Sequence, residues 1–124
     1  MKKLTKEWID KAEDDFIVAN REYKAKTPVY DAVCFHAQQC VEKYMKAILQ
    51  ENNKEFGKVH DLDLLLEECK KFTPILEKHK EALIELSSFM VEIRYPGVKA
   101  AKEEASNCIS IMRKARKIIK EYFH

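Results

Sequence analysis

The stretch "VCFHAQQCVEKYMKAILQ", residues 33–50, decides the fold. At about 100° per residue, Val33, Cys34, Ala37, Val41, Tyr44, Met45 and Ile48 fall within an arc of about 120°. His36, Gln39, Lys43, Lys46 and Gln50 lie opposite them. No period-two alternation runs through the segment. It reads as one amphipathic helix, with an apolar stripe to bury and a polar face toward water.

Working outward, the same period recurs, and the two glycines and three prolines mark the breaks. Thr27-Pro28 and Thr73-Pro74 each set a capping hydroxyl before a proline suited to the first helical position. Gly57 lies in the polar run "ENNKEFGK" (51–58), and Asp61 is placed to cap the short helix after it. Helical segments are expected at about 4–25, 28–52, 61–72, 74–93 and 98–122. The first carries a stripe of Leu4, Trp8, Ala12, Ala19 and Tyr23. The short third has Leu62, Leu65, Leu66 and Cys69. The fourth has Leu76, Leu83, Leu86, Met90 and Ile93, with His79 on the same face as a core or interface histidine. The fifth has Val98, Ala101, Ala105, Cys108, Ile109, Met112 and Ile119, widened by Ile111, Ile118 and Tyr122. That widening suits a subunit interface or a helix buried on two sides. The expectation is an all-α protein: an up-and-down antiparallel four-helix bundle with one additional short helix, a single domain over 1–124.

Composition narrows the function classes. Apolar residues make up 46%, enough for a core and too many for a disordered tail. No apolar run approaches the roughly 18 residues of a membrane span, and no secretory leader pattern opens the chain. A cytoplasmic location without membrane partners is expected. The 23 basic and 21 acidic residues leave a net charge of +2, which argues against a strongly basic nucleic-acid binder. Cys34, Cys40, Cys69 and Cys108 form no CxxC pair, so packed thiols are the default. His36 and Cys40, four apart, with His60 and Cys69, are the sole zinc alternative, one tight ligand pair short of the usual pattern. No metal is expected.

Two polar residues break the apolar pattern. Asp15 projects into the first stripe, and Arg94 falls in line with Leu76 and Leu83. A buried charge costs several kcal/mol unless paired, so Arg94 is expected in a polar notch, answered by Asp15 or Asp31. The alternative is an arginine that snorkels from a helix end and favours its dipole. "EIRYPG" (92–97) locates it: proline disfavours helix at Tyr95, and Gly97 permits a left-handed turn. The helix is expected to end at Arg94, and the next, from about Val98, to aim its free N–H groups at the same notch. Lys43 and Lys46, with Gln39, read as a solvated face or as a phosphate site.

Taken in order, "W8…A12..D15", "CFHAQQCVEKYMKAIL" (34–49), "VHDL" (59–62) and "RYP" (94–96) resemble the HEPN domain, the higher-eukaryote and prokaryote nucleotide-binding domain. The resemblance covers nearly the whole chain and implies a four- or five-helix bundle that forms homodimers. It also implies a small nucleotidyltransferase partner in a toxin–antitoxin-like pair. Many members are metal-independent ribonucleases that use an arginine and, after four to six intervening residues, a histidine. Arg94 takes the arginine's place, but positions 99–101 are Lys99, Ala100 and Ala101. The motif is broken, which removes the group that would deprotonate a 2′-hydroxyl.

The expected function is therefore a non-catalytic, homodimeric module that binds a nucleotide or phosphate through Arg94, Tyr95, His60, Lys43 and Lys46. It needs no cofactor. A second reading is an endoribonuclease toxin cutting RNA with Arg94 and His60. A third is a helical dimerisation module without a ligand, its arginine satisfied internally.

Overall fold

Five α-helices and one 3₁₀ segment, with no strand, build the computed structural model, which describes residues 1–124. Helix α1 spans Lys3–Tyr23, α2 Tyr30–Glu51, α3 Leu62–Cys69, α4 Lys80–Glu92 and α5 Lys102–Tyr122. The 3₁₀ segment is Pro74–His79. The protein is the all-α helical bundle that the periodicity implies.

Helix α2 is its axis. It packs against α1, α3, α4 and α5, and all seven residues of its apolar stripe are buried. Because neighbours lie on several sides, Cys40, Ala47 and Leu49 outside that stripe are buried as well. α1 supplies Ala12 and Ala19, small enough to let two helix backbones approach. α5 adds Cys108, Ile109, Met112 and Ile119, while Leu65, Leu66, Leu76, Leu83 and Leu86 close the other side. Each fully buried aliphatic side chain stabilises by about 1.5–3 kcal/mol, so the stripes hold the bundle together far more than helix propensity does. Ile111 is buried and Ile118 and Tyr122 pack on the core, so the wide arc of α5 is covered within the chain.

Several helix ends differ from expectation. α2 starts at Tyr30, not at Pro28, and Thr27 caps nothing. Its N-cap residue is Val29, whose N–H donates to Glu22 Oε2 at 2.8 Å. Thr73 makes no cap bond and leaves a buried hydroxyl without a partner. Asp61 holds the N-cap position of α3, also without a side-chain cap bond. The segment expected over 74–93 is two pieces, a 3₁₀ start and then α4. Leu4 is exposed at the overhanging first turn of α1.

The largest difference lies just beyond Arg94. α4 ends at Glu92, before the arginine, and α5 begins at Lys102, four residues later than expected. Val98 N–H donates to Tyr95 O, with Pro96 and Gly97 between them and Gly97 at φ +90°. That is a type II turn, whose third position demands a positive φ. No atom would meet a Cβ at Gly97, so the backbone angle alone selects glycine. Ala100 N–H then donates to Asp31 Oδ1 at 2.7 Å, and Ala101 N–H to Glu104 Oε1 at 2.8 Å. These bonds hold 98–101 outside the helix, and Val98 and Ala101 leave the apolar stripe for solvent.

One ion pair ties three helices together. Glu13 accepts from Arg116 Nε at 2.7 Å and Nη2 at 2.8 Å, and from the Tyr44 hydroxyl. The guanidinium lies over Phe16, 3.9 Å from the ring centroid. The Arg116 hydrogen bonds lower the Glu13 carboxyl from 4.5 to about 2, against the opposing pull of partial burial. Because the folded value lies below the unfolded one, the pair stabilises fully above pH 4.5 and is lost as pH falls toward 2. Acid unfolding followed by circular dichroism is expected to steepen over that window. Glu13→Gln should flatten it and cost about 1 kcal/mol in urea at pH 7, solvent screening at the exposed edge keeping the loss small.

Candidate functional site

A groove of about 150 Å³ runs between α2 and the end of α4. Phe35, Gln38, Gln39 and Glu42 form its α2 wall. Ser87, Met90, Val91 and Arg94 form the other, and His60 and Asp61 close one end. Hydrogen bonds set the register of the two walls. Leu62 N–H donates to Ser87 Oγ at 3.3 Å, and Gln38 Nε2 to His60 O at 3.1 Å. Both lock the Ser87 end beside Gln38 and Glu42. The Ala100–Asp31 bond draws the chain beyond Arg94 toward the start of α2. The walls are therefore antiparallel, with Arg94 level with Phe35. Seven residues of helix, about 10 Å, separate Phe35 from Glu42, and the His60 carbonyl meets Gln38 between them.

The floor near His60 is charged. Glu42 is 3% exposed, a position where a lone carboxylate would cost several kcal/mol. Lys46 Nζ lies 3.1 Å and His60 Nδ1 3.1 Å from Glu42 Oε2, and Gln38 Nε2 donates weakly to Oε1 at 3.4 Å. Lys46 is itself 4% exposed, its ammonium over the rings of Trp8 and Phe56 at 5.5 and 5.7 Å. The expectation that Lys46 lies on a solvated face is thus corrected: Trp8 of α1 and Phe56 of the loop after α2 cover it. Opposite in character, the His60 side chain is mostly exposed, tethered through Nδ1 and open at Nε2.

Asp15 forms a second cluster, on the flank of α2 that faces α1. It is buried, 2.8 Å from His36 Nδ1 and 2.6 Å from Lys43 Nζ. Asp31 accepts from Ala100 instead. Neither carboxylate answers Arg94, which corrects the expected pairing: α1 packs on the His36 and Lys43 flank, away from Arg94. The guanidinium is exposed at the mouth of the groove. The N-terminus of α5 forms no part of the groove wall, because the turn and extended segment carry it away.

Of the residues singled out from sequence, Arg94 and His60 share one groove. Lys46 reaches it only through Glu42, Lys43 is held by Asp15, and Tyr95 is 65% exposed on the turn outside it. Sequence reasoning missed Phe35, Gln38 and Glu42. The spacing Gln38, Glu42, Lys46 at i, i+4, i+8 was the available signal, since such residues stack on one helix face. His36, Cys40, His60 and Cys69 do not converge. The two cysteines are core residues, burial pushing the Cys69 thiol up to about 12, while the histidines serve separate carboxylates. No helix is long and apolar enough to cross a membrane.

Chemically, the groove offers a free planar guanidinium at one end, suited to bidentate contact with phosphate oxygens. At the other end is an imidazole fixed by a buried carboxylate. The family model of the HEPN domain matches residues 5–122. The crystal structure of an archaeal HEPN homologue is similar at a TM-score of 0.75 and 25% identity, over 98% of each chain. No curated protein matches the chain.

The buried pair makes a stability prediction. Glu42→Ala strands the Lys46 ammonium and is expected to cost about 3–5 kcal/mol in urea unfolding. Lys46→Met should cost a similar amount, and the double variant Glu42→Leu with Lys46→Met should recover most of the loss.

Proposed function

Since the chain belongs to the HEPN domain family, we propose that it is a nucleotide- or phosphate-binding and dimerisation module acting with a nucleotidyltransferase in a toxin–antitoxin-like pair. The observation that carries this reading is the unpartnered Arg94 guanidinium at the mouth of a polar groove that also holds His60. A guanidinium satisfied inside the protein would leave nothing for a ligand; this one has its donors free. Positions 99–101, where the family's ribonucleases have their histidine, carry Lys99, Ala100 and Ala101, and the Ala100 amide is engaged by Asp31. Binding rather than that two-residue chemistry is the simpler use of the groove. Phe35, Val91, Tyr95 and Val98 expose apolar surface near its Arg94 end, the kind of rim a second copy would cover.

A second reading, metal-independent RNA cleavage, is favoured by one observation. Two solvent-accessible histidines, the half-buried His36 and the exposed His60, each bind a buried carboxylate through Nδ1. A carboxylate that fixes the imidazole tautomer leaves Nε2 ready to exchange a proton with a substrate.

Calorimetric titration tests the binding. Millimolar ATP, GTP or their monophosphates are expected to give heat with the wild type. Arg94→Ala should bind at least about tenfold more weakly with an unchanged melting temperature, because the side chain makes no internal bond. An absence of heat from all of them would remove the nucleotide from the proposal.

A further inference from the structure

Arg94 is not the only free charge in its groove. Asp61 lines the same groove and is exposed at the N-cap position of α3, where its carboxylate makes no cap bond. The charges beneath them cancel: Lys46 neutralises Glu42, and His60 commits its Nδ1 to the same carboxylate. Among the lining residues Arg94 is the one permanent cation. A ligand therefore meets a single guanidinium and a single unpaired carboxylate.

That balance limits how much negative charge the groove can accept. One phosphate monoester carries about −1.5 to −2 at neutral pH, and a planar guanidinium meets two of its oxygens at once. Every further phosphate finds no cation of its own and adds charge of the same sign as Asp61. Space sets the same limit. The groove holds about 150 Å³, short of the roughly 300 Å³ at which pockets begin to enclose a drug-sized ligand. Phe35, on the α2 wall, offers the complementary apolar contact. It is 43% exposed, and the His36 ring braces it edge-on at a centroid distance of 5.2 Å. An exposed ring of this kind stacks on any base, whatever its identity.

We infer that the groove selects a free nucleoside monophosphate over a di- or triphosphate. Arg94 takes the single phosphate, Phe35 stacks on the base, and Asp61 repels a longer phosphate chain. The inference rests on the binding reading above and narrows it to one ligand class. It also gives Asp61 a role as a specificity-determining residue, separate from the affinity that Arg94 supplies.

The test is calorimetric titration of the purified protein with the AMP–ATP and GMP–GTP pairs in EDTA, so that no metal masks the phosphate charge. Each monophosphate is expected to bind about two- to fivefold more tightly than its triphosphate, the scale of one exposed charge contact. Adenosine, without the phosphate, should bind at least about tenfold more weakly than AMP. Phe35→Ala should weaken AMP about five- to a hundredfold through lost stacking. Asp61→Asn, which keeps a side chain suited to the N-cap, should bring ATP level with AMP. Triphosphates that bind the wild type as tightly as the monophosphates, or more tightly, would overturn the inference and leave the binding reading standing. So would an unchanged AMP-to-ATP ratio in Asp61→Asn. A 5′-phosphorylated trinucleotide presents the same group; tighter binding than AMP would assign the groove to an RNA end and also overturn the inference. No heat from either pair would overturn the inference and the binding reading together.

Discussion

Carboxylates placed in the seams around α2 set the terms for the rest of this bundle. Glu13 points at α5, Asp15 at one flank of α2, and Glu42 lies beneath the groove. Asp15 and Glu42 are too enclosed to be left to water and Glu13 is half-buried, and each pairs with a cation: Arg116 and Lys43 across a helix boundary, Lys46 from the next turn of its own helix. An apolar stripe tolerates small slides between helices. A carboxylate that must meet one guanidinium or ammonium does not, and the pairs made by Glu13 and Asp15 fix the register of α1, α2 and α5.

The fold was legible because burial follows the helical period. Val33 through Ile48 on α2 and Ala105 through Ile119 on α5 declared their inner faces without any neighbour being known. Lys46 was not legible, for the same reason. A single-helix wheel assigns it to water, and only the arrival of Trp8 from another helix and Phe56 from a loop buries it. Asp15 was recognisable as a residue needing a partner, but which partner depends on the interhelical register, and local pattern carries no record of that. The late start of α5 is a case of tertiary contact overriding propensity. "VKAA" would join a helix readily, yet the Pro96–Gly97 turn and the Asp31 carboxylate hold it extended.

Of the site itself, the sequence disclosed the break in the chain and the arginine beside it. It did not disclose the groove, which is made by α2 and α4 walls whose antiparallel alignment comes from bonds at Ser87, His60 and Asp31. That alignment puts the guanidinium and the His60 imidazole at opposite ends. The "VHDL" and "RYP" segments, neighbours in the motif order, thus serve different ends of one cleft.

The chain's single tryptophan sits where this architecture is most dependent on charge. Its indole faces the Lys46 ammonium, which rests on Glu42, which in turn holds His60 at the groove. An indole reports a nearby charge through its emission wavelength, and here the reporter is wired to the cleft by two side chains. Occupancy of the His60 end should therefore be readable by unlabelled fluorescence spectroscopy, the molecule carrying its own optical probe.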